Sequence, residues 1–310
     1  MDEPQRPPQK EQKPLTREDL LRLMEEHRLI EQQRIEELRV IEDIDERRLT
    51  EEQRRLKEER EPKGLDLRHA NLRQADLSDL DLNHASLSSA NLWGTVLARA
   101  GLAGADLQEA LLGLADLQEA NLHAANLGRA NLRDAKLQGA NLRTANLQQT
   151  YLAGANLHQA NLESANLRRA VLAEANLHEA NLTGADLQGA NLASADLRQT
   201  RLARATLRDA NLENIDWGDY VLAEEATGHF DEATAVYRAL KQRHTEAGMH
   251  DVAGEFFYRE LEARRKAAGR SLYDRITGTP RLLFAASILA IAALAVLALL
   301  VVAGVTGGLR

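Results

Sequence analysis

Leucine returns at every fifth position through the middle of the chain, and this spacing predicts the architecture. It occupies all thirty such positions from Leu67 to Leu212, with alanine two residues earlier in 25 repeats and Asp or Asn immediately before it in 21. On an α-helix, a step of five residues advances about 500°, so the leucines would spiral around the axis. On a flat strand, an odd spacing would send them to alternate faces. A path that turns once per repeat keeps them all inward, which predicts a narrow solenoid over residues 64–217.

The repeat has the form A(N/D)LXX, seen as Ala120-Asn121-Leu122-His123-Ala124 and in its neighbours. This motif resembles the pentapeptide-repeat family, and the resemblance covers about half of the chain. It implies a mainly β solenoid, a right-handed quadrilateral β-helix with four repeats per coil. Thirty repeats would then make about 7.5 coils, and at a strand-like spacing of ~4.8 Å the rod would be about 36 Å long.

The chain before the solenoid divides into two predicted segments. Residues 1–15 hold four of the six prolines among polar and charged side chains, which is typical of a disordered arm. Thr16 and Asp19 then form a capping-box-like pair, and a helical apolar period follows until Pro62. We expect a long amphipathic helix over 16–61. It would be a coiled coil with a partner or a second copy, a solvated single helix, or a helix folded onto the solenoid.

Aromatic residues concentrate after the solenoid, where the period of five is lost. Two helical patterns, 231–246 and 251–267, are separated by Gly248 and followed by Gly269. This hairpin is weakly similar to one tetratricopeptide unit. Because stacked repeats need caps, we expect residues 219–268 to form a helical cap over the open end of the solenoid.

An uncharged apolar run, residues 282–303, predicts one transmembrane helix near the end of the sequence. Six basic residues and one acidic residue lie between positions 264 and 281, and only Arg310 is basic after the run. By the positive-inside rule, we expect a tail-anchored protein of the bacterial inner membrane with its bulk in the cytoplasm. The basic residues expected to meet anionic lipid headgroups are Arg264, Arg265, Lys266, Arg270, Arg275 and Arg281.

The composition and the motifs argue against catalysis. The chain has no cysteine, which excludes disulfides and thiolate chemistry, and its net charge of −8 argues against binding nucleic acid. No GxSxG, HExxH or phosphate-binding loop is present. We therefore predict a protein that is not an enzyme and needs no cofactor.

Two columns of polar side chains follow from the coil length of twenty residues. His158 and His178 would stack on adjacent coils, and we interpret them as surface histidines because neighbouring columns offer no further metal ligands. A second column is expected to be a structural amide stack, comprising Asn121, Asn141, Asn161 and Asn181.

The candidate binding site consists of departures from the repeat. Leu111, Tyr151 and Val171 replace the usual Asp or Asn on the same side of the coil, and Trp93 and Leu114 belong to that side too. Together they predict an exposed apolar strip about 20–25 Å long. Such a strip is typical of a protein-binding surface. The alternatives are that the substitutions coincide by chance, or that the strip binds the N-terminal helix of the same molecule.

These features favour a non-catalytic, membrane-anchored scaffold or adaptor whose rigid β-helical surface binds an unidentified protein. The first alternative is an oligomeric membrane effector or channel-associated subunit, assembled through the transmembrane helix. The second alternative comes from the resemblance, since some pentapeptide-repeat proteins inhibit type II topoisomerases by mimicking DNA. That role needs an intensely acidic rod, whereas residues 64–217 hold 17 acidic and 13 basic side chains.

Overall fold

The computed structural model describes residues 14–42 and 64–277. The solenoid follows one helix and precedes three: α1 (Arg17–Glu42), α2 (Ala223–Ala226), α3 (Phe230–Glu246) and α4 (His250–Thr277). The predicted membrane span and nearly all of the predicted disordered arm lie outside these residues, as does the stretch 43–61 of the predicted long helix. No helix within 14–42 and 64–277 is long and apolar enough to cross a membrane.

Parallel β-bridges join each coil of the solenoid to the next. The residue before each leucine pairs with the residue twenty positions later, as Asn121 does with Asn141, in an unbroken series from Asp66↔Ser86 to Asp196↔Asp216. This register confirms four repeats per coil. Each side of a coil contributes one bridging residue before the chain turns. The described solenoid therefore contains isolated β-bridges and no strand of more than one residue.

Leucine and alanine fill the axis of the solenoid. Every repeat leucine from Leu72 to Leu197 is at most 1% exposed. At three alanine positions the chain has threonine instead, and its hydroxyl donates to a leucine carbonyl of the previous coil, as Thr150 Oγ1 does to Leu127 at 2.8 Å. The core is therefore a continuous apolar column in which these buried hydroxyls are hydrogen-bonded.

A tight turn follows every leucine. The residue two places after it has φ between 53° and 69° at all thirty positions from His69 to Asn214, of which 24 are not glycine and six are glycine. The next alanine N–H donates back to the leucine carbonyl, as in Ala125 to Leu122 at 3.0 Å. A positive φ at the third residue and this hydrogen bond are the features of a type II turn.

The preference for Asp and Asn before the leucine has a backbone explanation. Four of the five N–H groups in a typical repeat bond to carbonyls of the turn or of adjacent coils. The fifth, just after the leucine, donates to the Asp or Asn side chain, as Arg133 N does to Asn131 Oδ1 at 3.1 Å. The predicted amide stack is also present, since Asn141 Nδ2 donates to Asn121 Oδ1 at 3.1 Å.

The beginning of α1 closes the first coil. Thr16 and Asp19 form the predicted capping box, with Asp19 N 3.2 Å from Thr16 Oγ1 and Thr16 N 2.9 Å from Asp19 Oδ2. Leu15 N donates to Asn71 O at 2.8 Å, and Leu20 is fully buried within the solenoid core. In the described residues, α1 therefore contacts the end of the solenoid through its first turns.

The helices after the solenoid cover its other end. Trp217, the last residue at a leucine position, packs edge-on against Phe256 of α4 with ring centroids 5.1 Å apart. The helical hairpin is seen as α3 and α4, but α4 does not end at Gly269 and continues to Thr277. One interior glycine costs a helix only about 1 kcal/mol, which does not stop it.

Candidate functional site

The predicted strip lies on one side of the solenoid, here called the strip face, which consists of the repeats that contain Leu72, Leu92 and every twentieth residue after them. Three of the four exposed large hydrophobic residues of the solenoid lie there: Leu111 at 38%, Leu114 at 52% and Tyr151 at 55% exposed. The fourth, Val96 at 37%, lies on the adjacent side. The structure thus places the predicted residues on a common surface, with Trp93 and Val171 half-buried.

A first apolar patch forms around the Trp93 ring. A Cβ atom added to Gly113 would lie 2.3 Å from Trp93 Cζ3, so the indole lies directly against the backbone of the next coil. Only glycine leaves room for this ring. Trp93, Leu111 and Leu114 make up this surface, which we call the first patch.

One polar repeat interrupts the strip. Asn131 stands between Leu111 and Tyr151 in the bridge column, and the exposed side chains of Arg133 and Asp134 belong to the same repeat. Beyond it, Tyr151 bridges to Val171, and these two residues with their small neighbours Ala153 and Ala173 form a second patch. The predicted continuous strip is therefore two apolar patches separated by one coil.

Three of the patch residues lack the side-chain acceptor that usually binds the backbone N–H just after the leucine. At Leu111, Tyr151 and Val171 the side chain before the leucine cannot accept from the N–H two positions later, as Asn131 does on the same face. A hydrogen bond of this kind contributes about 0.5–1.5 kcal/mol. These three apolar residues are therefore not expected to increase the stability of the solenoid.

The histidine column has the predicted stacked geometry. The rings of His158 and His178 stack with centroids 5.1 Å apart and planes inclined by 18°, and His158 Nδ1 lies 3.0 Å from the carbonyl of His178. In the part of the chain that the structure describes, no group of three or more His, Asp or Glu side chains could hold a metal ion. These histidines remain surface residues of the repeat.

Three of the predicted membrane-surface cations already have protein partners. Lys266 Nζ is 2.5 Å from Glu225, Arg265 pairs with Glu262 at 3.0 Å, and Arg264 pairs with Glu260. Arg264 and Arg265 remain largely exposed, whereas Lys266 reaches a carboxylate that is 2% exposed. The side chains of Arg270, Arg275 and Arg281 lie outside the described residues.

Glu224 closes the last coil, a role that sequence reasoning missed. Its Oε1 accepts the N–H groups of Leu202 and Ala203, each at 2.6 Å. In an inner repeat, the first of these groups would donate to a carbonyl of the next coil and the second to an Asp or Asn side chain, but position 201 is Arg. Burial raises the pKa of this carboxyl, and the hydrogen bonds from the backbone oppose that shift. The neighbouring Glu225 accepts from the Tyr237 hydroxyl at 2.7 Å, which ties α2 to α3.

Comparison with known proteins identifies the family. The model of the family of pentapeptide repeats matches eight times between residues 66 and 216, over the whole solenoid. The crystal structure of HetL, a pentapeptide-repeat protein of heterocyst differentiation regulation from the cyanobacterium Nostoc sp. strain PCC 7120, is 37% identical. The match covers 49% of this chain and 73% of HetL, with a TM-score of 0.21. The chain belongs to the pentapeptide-repeat family.

Two other solved pentapeptide-repeat structures are similar to this family member over the solenoid. Rfr23 from the cyanobacterium Cyanothece 51142 is 33% identical over 33% of this chain and 82% of its own, with a TM-score of 0.32. QnrB1, a plasmid-mediated fluoroquinolone resistance protein, is 20% identical over 50% of this chain and 77% of its own, with a TM-score of 0.39. No curated protein matches the sequence. Pentapeptide-repeat proteins are typically non-catalytic and act through interactions with other proteins.

Proposed function

We propose that this pentapeptide-repeat protein is a membrane-tethered, non-catalytic scaffold that binds a protein partner through the two patches of its strip face. The observation that carries the proposal is the exposure of Leu111, Leu114 and Tyr151 on one side of a rigid solenoid. Contiguous apolar groups on a soluble surface mark interaction sites. Trp93 and Tyr151 would supply the aromatic contacts that dominate binding energy in protein interfaces.

The arrangement of the patches suits a partner with two apolar contacts. Trp93 and Val171 belong to repeats four coils apart, which at ~4.8 Å per coil corresponds to about 19 Å. The polar repeat between the patches carries Arg133 and Asp134, which can form hydrogen bonds at the centre of the same interface. A helix or an extended segment that runs along the solenoid axis would reach both patches.

The membrane tether is proposed on the basis of the sequence alone. Residues 282–303 are uncharged and long enough to cross a bilayer, and the excess of basic residues before them favours a cytoplasmic location for the solenoid. We assign the protein to the bacterial inner membrane on this basis.

The observed charges do not favour DNA mimicry. Several carboxylates of the solenoid are paired with a cation, as in Asp79 with Arg99 at 2.7 Å and Asp196 with Arg198 at 2.6 Å. A DNA mimic must present unpaired negative charge to its partner. The membrane-effector alternative depends on assembly of residues that lie outside the described structure.

The decisive experiment returns the patches to the repeat consensus. Leu111→Asn with Tyr151→Asn restores the acceptor for the following N–H at both repeats, so the free energy of unfolding should hold or rise by about 0.5–1.5 kcal/mol per site. Partner binding should be lost, because both apolar contacts are removed. Photo-crosslinking from position 114 in cells, followed by identification of the crosslinked protein, measures binding.

Val96→Asn is the matched control, since it makes the same exchange at an exposed position on the adjacent face. This variant should keep the crosslinked partner. If the double variant folds and still crosslinks to the same protein at the wild-type level, the strip face is not the binding site.

A further inference from the structure

An unpartnered apolar surface lies on α4, away from the solenoid core. Phe257, Tyr258 and Leu261 are 50%, 56% and 47% exposed and stand at helical spacings that place them on one side. We call these three residues the α4 patch. Their exposure contrasts with Phe256 and Ala263 on the opposite side of the helix, which are fully buried, Phe256 against Trp217 at the end of the solenoid.

One border of the α4 patch, next to α3, is positively charged, whereas on the other border Glu262 pairs with Arg265 at 3.0 Å. Lys241 Nζ lies 5.2 Å from the centroid of the Phe257 ring, and it shares the carboxylate of Glu260 with Arg238 and Arg264. Three cations against one carboxylate leave an excess of two positive charges in this cluster, of which Lys241 is the member beside the ring. An isologous contact with a second copy of the chain would bring two such borders together, which disfavours self-association through the patch.

The side of α4 that carries the patch continues as an apolar and basic surface towards the end of the helix. At about 100° per residue, the positions within about 60° of Leu261 from 254 to 269 contain no acidic residue. The positions on that side beyond the patch, in sequence order, are Arg264, Arg265 and Ala268. An apolar and basic side on a helix is typical of helices that lie in the interface of an anionic membrane.

The chain continues from α4 towards the proposed tether. Four residues, 278–281, separate Thr277 from the uncharged run 282–303. Residues 257–277 of α4 span about 30 Å, so a helix standing upright would hold the patch far from the bilayer, whereas a helix lying flat would bring it into the headgroups.

We propose that the α4 patch binds an anionic lipid surface and holds α4 along the bilayer. The aromatic rings and Leu261 enter the headgroup region while Lys241, Arg264 and Arg265 contact anionic headgroups. The solenoid, fixed to α4 by Trp217 and Phe256, then has a defined orientation above the membrane. This inference rests on the tether of the proposed function and adds an orientation that a flexible anchor alone would not give.

The test uses the full chain, which has no native cysteine. Gly254 lies on the same side as the patch, and an added Cβ there has no neighbour within 4 Å, so Gly254→Cys can hold an environment-sensitive fluorophore without disturbing the fold. In vesicles of phosphatidylcholine with phosphatidylglycerol, we expect a blue-shifted emission that lipid-attached quenchers suppress. The probe should lose this quenching in vesicles of phosphatidylcholine alone.

The variant Phe257→Gln with Leu261→Gln should also abolish quenching while the protein still floats with the vesicles. A probe at Gln148→Cys, on the exposed solenoid surface, is the control and should stay unquenched throughout. Flotation without quenching at position 254 would overturn the inference and leave the tether intact. Unlabelled Gly254→Cys protein that forms disulfide-linked dimers, together with no quenching of the labelled protein, would overturn it in favour of a second copy. Absence of flotation would overturn both the tether and this inference.

Discussion

The residue two places after each leucine has a left-handed backbone conformation, which costs free energy for any residue other than glycine. Glycine takes this conformation freely, yet 24 of the thirty positions have side chains. For an L-residue the cost is roughly 1–2 kcal/mol, and it is borne because each turn brings another leucine into the core. The sequence predicts the turns from their spacing. It does not reveal the positive φ in these turns, because so few of the positions are glycine.

Thr144 is the only β-branched residue at these thirty positions, with φ of 57°. Its branched Cβ makes this conformation particularly unfavourable. We expect Thr144→Gly to raise the free energy of unfolding by up to about 1 kcal/mol, after allowance for the greater freedom of glycine in the unfolded chain. Denaturant unfolding measures the change.

Thr183→Gly provides the comparison, because Thr183 occupies the preceding turn position, where φ is not left-handed. This exchange should lower the free energy of unfolding by about 0.5–1 kcal/mol. Equal losses in the two variants would mean that strain at position 144 is negligible.

The elements at the two ends of the solenoid were predictable to different extents. Aromatic composition and helical period locate α3 and α4, and the Thr16–Asp19 pair locates the start of α1. The closure by Glu224 was not predictable, because Leu202 lies 22 residues earlier and becomes its neighbour only when the last coil forms. Ala-Glu-Glu-Ala is also an ordinary composition for a solvated helix, although both glutamates are buried.

The C-terminal cap should respond to pH through His244. Its ring is 1% exposed against Trp217 and Phe256, with Nδ1 2.8 Å from the carbonyl of Leu240 and no partner for Nε2. Burial lowers the pKa of His244 below its ordinary value of 6.5. The unfolded chain therefore binds a proton that the folded cap does not, so this contribution to stability is complete above pH 6.5 and is lost as the pH falls below it.

We expect hydrogen exchange of α3 and α4 amides to accelerate between pH 7 and pH 5.5, beyond the intrinsic pH dependence of exchange, and His244→Met to reduce this response. The raised pKa of Glu224 has the opposite sign, since its contribution is present below its unfolded pKa of about 4.3 and is lost as the pH rises. The difference between the wild type and His244→Met cancels that contribution. His123→Met, at an exposed position of the solenoid, should leave the response unchanged, and an unchanged response in His244→Met would refute the assignment.

At the scale of the whole molecule, the solenoid is a stack in which each coil contacts only its neighbours. The fold and the face that carries Leu111, Tyr151 and Val171 follow from the five-residue and twenty-residue periods. The division of the strip into two patches was not apparent from those departures alone. It results from Arg133 and Asp134, which are exposed between the patches but do not depart from the repeat pattern.

A stack of this kind should open from its ends, so Leu20 should protect only the first coils. Leu20 is fully buried against them, and Leu20→Ala should lower the free energy of their local opening by about 2–5 kcal/mol. Native-state hydrogen exchange should report this at Leu67 N, which donates to Ser86 O at 2.7 Å. The amide of Leu132, more than three coils farther along, should keep its protection. Leu29→Ala, at a side chain 50% exposed on the same helix, should change neither site by more than about 0.5 kcal/mol. Equal loss of protection at Leu67 and Leu132 would show instead that the solenoid unfolds as one cooperative unit, and that α1 stabilises the whole solenoid.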